Sequence, residues 1–467
     1  MGDFMDLKLE PALKLAKQKL KIGASDEAKR IYQVILEKFP TNKIARKGLR
    51  SLSDGLNGGI KRPQNPSHDQ QASLVNLFNQ GKLQKAIDQS KKLLEQFPHS
   101  MLLHNINGAV YAAWGQYDAA IDSYKQALKI DHKYAEAHNN MGNALKGKGE
   151  PDAAIVCYKL AIKFKPNYAD AYNNIGAAFK DNDELNEAIA SYKQALQLQP
   201  NHAEAYNNMG LAIQGKGDLN GSLDCYKHAL KINPNYAEAH NNMGIALQGK
   251  NDLNAAIDCY KQALKINPEF ADVYNNIGNA LRDKGDLDAA IDNCKQALKI
   301  NPRHAEAYNN LGISLNYKGE IDAAIDSYKR ALKIQPEFAE VHNNLGNAVQ
   351  DKGNLDAAID SFQQALRIKP DYAEAYISIG NVMREKGDLD AAIDSYKQAL
   401  KVKPDYADAH NNMGIALQDK GDLDAAIDSY KQALKVKPDY ADAHNNMGVA
   451  LQDKGDRDAA LDSFRQA

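Results

Sequence analysis

The sequence is poor in the residues that mark several common protein classes. It holds one Trp, four Cys and fifteen Pro in 467 residues. Four cysteines in so long a chain cannot form a disulfide framework, so a reducing, cytoplasmic setting is expected. No apolar run approaches the roughly 18 residues that a membrane-spanning helix needs. The start, Met1 to Asp6, lacks the basic and apolar regions of a secretory signal. Asp6 also stands where a myristoylation signal carries Ser or Thr. Positive charge is not in excess either. The net charge is −2, with +7 in residues 1–66 and −9 over the remainder. An acidic body does not favour nucleic acid, whose proteins draw affinity from phosphate neutralisation. The basic N-terminal segment is compatible with an anionic partner but reads as a solvated helical surface.

With 43% hydrophobic and 25% charged residues, the chain is neither disordered nor collagen-like. What it has in excess is asparagine, 43 in all, and a clock. Gly recurs every 34 residues from Gly108 to Gly448, and Pro on the same interval from Pro166 to Pro438. Two phase-locked series of this length mean a repeat array, which overrides any count of globular domains made from length.

In residues 237–270, taken as positions 1 to 34, small or apolar residues fall at 3, 7, 8, 10 and 11, then at 20, 21, 24, 27, 28 and 30. Both sets follow the 3.6-residue period, so each unit is two amphipathic helices. Gly at position 15 suits a left-handed C-terminal cap, and Asp at 16 or 18 suits the start of the second helix. Pro at 32 ends that helix, and the Asn or Asp after it is expected to cap the next first helix. Asp early and Lys late in the second helix complement its dipole, as on a solvated outer face. No segment alternates with period 2, so no strand is expected.

These residues resemble the tetratricopeptide repeat (TPR), whose 34-residue pattern has small residues at positions 8, 20 and 27 and Pro at 32. The resemblance implies an all-α solenoid, a right-handed superhelix of helix-turn-helix hairpins with a peptide-binding inner groove lined by the first helices. It places divergent N-terminal helices in 1–54, with Gly23, Ala28, Tyr32 and Pro40 in phase and a lone helix at 43–54. A Gly-Pro linker follows at 55–66, then a divergent repeat at 67–100, ten regular repeats at 101–440 and a truncated one at 441–467. That truncation leads to the expectation that the sequence is a fragment.

On a helical projection, positions 2, 5, 6, 9, 12 and 13 lie opposite the core face. Position 6 is Asn140, Asn174, Asn208, Asn242, Asn276, Asn310, Asn344, Asn412 and Asn446, and position 5 is Asn in the same nine copies. The row breaks at Ile106 and at Ile377-Ser378. A side-chain amide donates and accepts like the peptide backbone, so such a row suits an extended polypeptide of any sequence. The nine position-6 residues are the candidate ligand contacts; the position-5 residues suit either ligand contact or bonding among the helices. An outward position 6 implies that alanine there leaves folding intact. The row is most similar to the repeats of the O-linked N-acetylglucosamine transferases, whose catalytic domain is absent from these residues.

Other signals reduce to packing. G-x-x-x-x-G-K at 142–148, 210–216 and 244–250 lacks the following Ser or Thr and the preceding strand of a phosphate loop. Histidines at position 4 alternate with Tyr, as semi-buried residues do. Cys157, Cys225 and Cys259 share position 23, a repeat apart. No nucleophile–base set, metal site or cofactor site emerges. The sequence therefore predicts a non-catalytic scaffold that binds a polypeptide or protein partner, with neither nucleic acid nor membrane. The alternatives are the recruiting part of a larger glycosyl- or sulfotransferase and a plain spacer.

Overall fold

A computed structural model of the chain describes residues 9–21, 25–55 and 65–467. These residues form 27 helices and no strand. The chain makes two compact units, 1–200 and 201–467, each an all-α solenoid of stacked hairpins.

Unit 2 shows the repeat at its most regular. Ala237–Gly249 is a first helix and Leu253–Ile266 its second, occupying positions 1–13 and 17–30. Each first helix packs on its own second helix, and the second packs on the first helix of the next copy. Gly217 turns the chain between helices with φ +84°, at position 15. Where Gly is missing, Asp183 and Asn251 take the same left-handed conformation at φ 62° and 63°. These residue types tolerate it because their short polar side chains bond locally. Asp at position 16 then caps the second helix: Asp252 Oδ1 accepts from Ala255 N at 3.2 Å and Asp286 Oδ1 from Ala289 N at 3.2 Å.

Asp at position 18 does something else. It meets the lysine that ends the first helix of the following copy, as in Lys318–Asp288 (2.8 Å) and Lys386–Asp356 (2.6 Å). These pairs are solvent-exposed and each contributes little.

The expected cap on the first helix is not made. The residue before that helix is position 34, usually Tyr or Phe, which has no capping oxygen. An Asn or Asp at 33 sits one residue too early to serve. Where position 31 is Asn, it carries a polar turn instead: Asn233 Oδ1 accepts from Asn235 N at 3.1 Å and Asn267 Oδ1 from Glu269 N at 3.1 Å. The position-4 histidines close the same turn, with His240 Nε2 3.1 Å from the Pro234 carbonyl and His410 Nε2 3.1 Å from that of Pro404. Among the tyrosines at that position, Tyr376 makes the equivalent contact, its hydroxyl reaching the Pro370 carbonyl at 3.3 Å.

The core is built on one pairing. The ring of Tyr260, at position 24, is fully buried and lies on Gly244, at position 8 of the same hairpin. A methyl group built on Gly244 would stand 2.5 Å from the ring edge, so only glycine lets the ring in. Ala256, Ile257, Ala263 and Val273 complete this part of the core. Burial pushes the Tyr260 hydroxyl well above its ordinary range. It stays protonated and donates to Gln248 Oε1 at 3.0 Å.

Unit 1 carries the same hairpins from Met101–Ala113 to Leu185–Leu198. Ahead of them, Ser67 and Gln70 form a reciprocal capping box on His68–Asn79. Leu9–Lys21, Ser25–Lys38 and Lys43–Gly55 share a cluster of Ala12, Ala16, Ile31, Tyr32 and Ala45. The third of these is the lone helix expected at 43–54. Gly23 and residues 56–64 of the expected linker lie outside the described residues.

Candidate functional site

All nine position-6 asparagines lie on first helices, and all nine are half-buried. They do not stand alone. In unit 2 each of them from Asn242 to Asn344 donates its amide N–H to the position-5 asparagine of the preceding copy. Asn242 bonds Asn207 at 3.0 Å, Asn276 bonds Asn241 at 2.9 Å, Asn310 bonds Asn275 at 2.9 Å and Asn344 bonds Asn309 at 3.0 Å. Asn446 reaches Asn411 at 3.0 Å. In unit 1, Asn140 reaches Asn105 (3.1 Å) and Asn174 reaches Asn139 (3.0 Å). Asn208 begins the row of unit 2.

Position 5 is therefore not an outward position. Eight of its nine asparagines are buried, Asn241 and Asn275 at 8% exposure and Asn207 at 4%. The projection of one helix cannot show this, because position 5 is covered by the neighbouring first helix. It also corrects the expectation that alanine at position 6 leaves folding intact. At Asn174, Asn242, Asn276, Asn310, Asn344 and Asn446 such a change removes the donor that satisfies a buried carbonyl oxygen, and an unpaired buried acceptor costs about 1–3 kcal/mol.

The bond uses one amide hydrogen. For Asn242 and Asn276 the second N–H and the carbonyl oxygen remain. Those two amides are thus fixed in rotamer by their neighbours, each with one donor and one acceptor left over.

The interruption at Ile377-Ser378 has a local cost. Ser378 stands where an asparagine would donate to Asn343, and Asn343 Oδ1 is buried without a partner. Ile377 offers no acceptor, so Asn412 turns to Asn381 Oδ1 at 3.2 Å. Replacing Ser378 by Asn should supply the missing donor and raise stability by about 1–2 kcal/mol. Thermal melts of the single variant check this; an unchanged or lowered Tm would refute it.

A second row runs beside the first, from position 12 of one copy to position 13 of the next. Gln248 bonds Asp283 (3.1 Å), Gln350 bonds Glu385 (2.9 Å) and Gln418 bonds Asp453 (3.1 Å). Single-copy reasoning missed this row too. Its signal was in the sequence: of the eight copies with Gln or a cation at 12 that have a following copy, five are followed by an acid at 13, the exceptions being Gly215, Gly249 and Tyr317. The face is also acidic. Each of the eight first helices in unit 2 carries one or two net negative charges, while each second helix lies between −1 and +1.

Reactive groups are quiet. Burial pushes the Cys259 thiol up to about 11 and that of Cys294 to about 12, so neither is a thiolate at neutral pH. Among the described residues no cluster of three or more His, Cys, Asp or Glu is placed to hold a metal ion, and no helix is long and apolar enough to cross a membrane.

The profile described as "Cilia and flagella-associated protein 70 C-terminal domain" matches residues 77–337. Profiles described as "TPR repeat" match 380–421 and 417–455. Two described as "Tetratricopeptide repeat" match 309–373 and 12–42. The last falls in the divergent segment that sequence spacing had placed in phase. No curated protein matches the chain. Among solved structures, one described as "Crystal structure of MamA" is 32% identical over 33% of this chain and 91% of that one, with TM-score 0.31. Another, "Crystal structure of APC/C hetero-tetramer Cut9-Hcn1", is 17% identical over 96% of this chain and 97% of that one, with TM-score 0.48.

Proposed function

Because the chain belongs to the tetratricopeptide-repeat family, we propose that it is a protein-interaction scaffold whose first-helix face holds a partner polypeptide in extended form. The observation that carries this reading is the asparagine row. Amides held by their neighbours, as at Asn242 and Asn276, present a donor and an acceptor, and a peptide backbone offers the matching pair. Fixing the rotamers in advance lowers the entropy lost on binding. The contacts fall on Asn140, Asn174, Asn208, Asn242, Asn276, Asn310, Asn344, Asn412 and Asn446, with Ser378 as a gap. Backbone recognition gives weak sequence preference. No comparison adds to the likeness with the transferase repeats, and the scaffold reading needs no catalytic domain.

The test leaves the protein unaltered, since its asparagines also support the fold. Extended peptides are compared with versions N-methylated at one backbone amide at a time. Each amide bonded by the row should cost about 0.5–1.5 kcal/mol of affinity when methylated. Peptide binding that ignores N-methylation at every site would overturn backbone recognition, and absence of all peptide binding would make the chain a spacer.

A further inference from the structure

The second row is broken at Ala305–Tyr317, where the first-helix face opens into a pocket of about 560 Å³. Arg282, Asp283, Ile313, Tyr317, Glu340 and Asn344 line it. At position 13, where the following copies carry Asp or Glu, stands Tyr317, with 72% of its surface exposed. Arg282, at position 12 of the preceding copy, therefore finds no acid across the seam. It turns back onto its own helix, pairing with Asp283 at 2.9 Å and donating to Asn279 and, at 3.5 Å, to Asn310 Oδ1. The guanidinium is largely buried and its charge is matched by Asp283. Glu340 is left as the unmatched charge of the pocket. One of its oxygens accepts from Asn309 Nδ2 at 3.2 Å, and its side chain is otherwise exposed.

We propose that this pocket receives a lysine or arginine side chain of the bound polypeptide. The inference rests on the scaffold reading above and adds a side-chain preference to it. The stem of the basic residue packs on the Tyr317 ring and on half-buried Ile313, and the ring face attracts its charged head. Glu340 supplies the counter-charge, and the Asn344 amide holds the backbone beside it. The net negative charge of every first helix in unit 2 favours the same kind of ligand at longer range. A glutamate or phosphate in its place would meet Glu340, since Arg282 is already engaged.

The test uses the full chain and pools of peptides of about twelve Ser, Thr and Ala residues, long enough to cross about three copies when extended. One central position is Lys, Arg, norleucine or Glu. Lys and Arg pools should bind about 5- to 10-fold more tightly than the norleucine pool, the Glu pool should bind least, and salt should erase the difference. Glu340→Gln keeps the acceptor for Asn309 and removes only the charge; Tyr317→Ala removes only an exposed ring. Each should abolish most of the preference of the Lys and Arg pools over norleucine and leave the melt unchanged. Equal binding of all four pools would overturn the pocket while the scaffold reading stands. A basic preference that survives both substitutions would place the recognition elsewhere. Failure of every pool to bind would remove the scaffold reading, and the pocket with it.

Discussion

Changing Asn242, Asn276 and Asn310 together to alanine is expected to lower the stability of unit 2 by about 2–7 kcal/mol. Each substitution strands the buried carbonyl oxygen of Asn207, Asn241 or Asn275, at about 1–3 kcal/mol apiece. Alanine is the better helix former by roughly half a kcal/mol per site, which offsets only part of this. The three bonds share no residue, so their effects should add. Long arrays unfold piecewise rather than in one step, so hydrogen exchange in Ala203–Gly215 through Ala305–Tyr317 is the better readout than a single midpoint. Exchange and melting equal to the parent's would show that water replaces the lost donors, and the row would then be free to serve a ligand alone. The expected result means that lost peptide binding in such a mutant cannot by itself assign the asparagines to a ligand.

The second large effect belongs to Tyr260. Its replacement by alanine removes a fully buried ring from a site bounded by Gly244, Ala256 and Ala263, none of which can grow to fill the space. The expected loss is about 3–5 kcal/mol. Because each hairpin touches only its neighbours, the damage should stay local, in Ala237–Gly249, Leu253–Ile266 and the helices beside them. Exchange measurements should show fast amides there and protected ones around Tyr396 and Tyr430. A uniform loss of protection across 201–467 would contradict the one-dimensional picture. Phe362 shows which part of the residue carries the effect: it sits against Gly346 without a hydroxyl, so the ring is the structural element and the hydroxyl an addition.

These two cases also show what the sequence discloses. The Gly–aromatic pairing, the left-handed turn at position 15 and the Asp cap at 16 are events within one copy. The period of a single unit exposes them. The burial of Asn241, the bond from Gln248 to Asp283 and the ion pair of Lys318 with Asp288 join residues from adjacent copies. A projection of one helix omits the surface that covers them, so it sets position 5 on the outward side and leaves Asp288 as a terminal charge. The misplaced cap at position 33 has another cause: the chain type was right, but the helix begins one residue later than composition suggests. The Tyr317 pocket was visible only as a departure, an aromatic in a column of acids and glycines.

The cross-copy bonds have a consequence for how such an array can change in length. Asn276 bonds the residue 35 positions before it, and so does every regular rung of the row. Excision of any one 34-residue stretch therefore brings an equivalent pair into the same place. Loss of 373–406 is the informative case, because it removes Ile377 and Ser378 together and sets Asn412 where Ser378 had been, beside the unpartnered oxygen of Asn343. Unequal exchange between near-identical gene segments can thus shorten or lengthen this chain without opening a seam, and the shorter product would be better bonded than its parent at the point of deletion. Copy number is then the freely varying quantity, and the interruption at 377–378 is a mark that recombination can erase in one step.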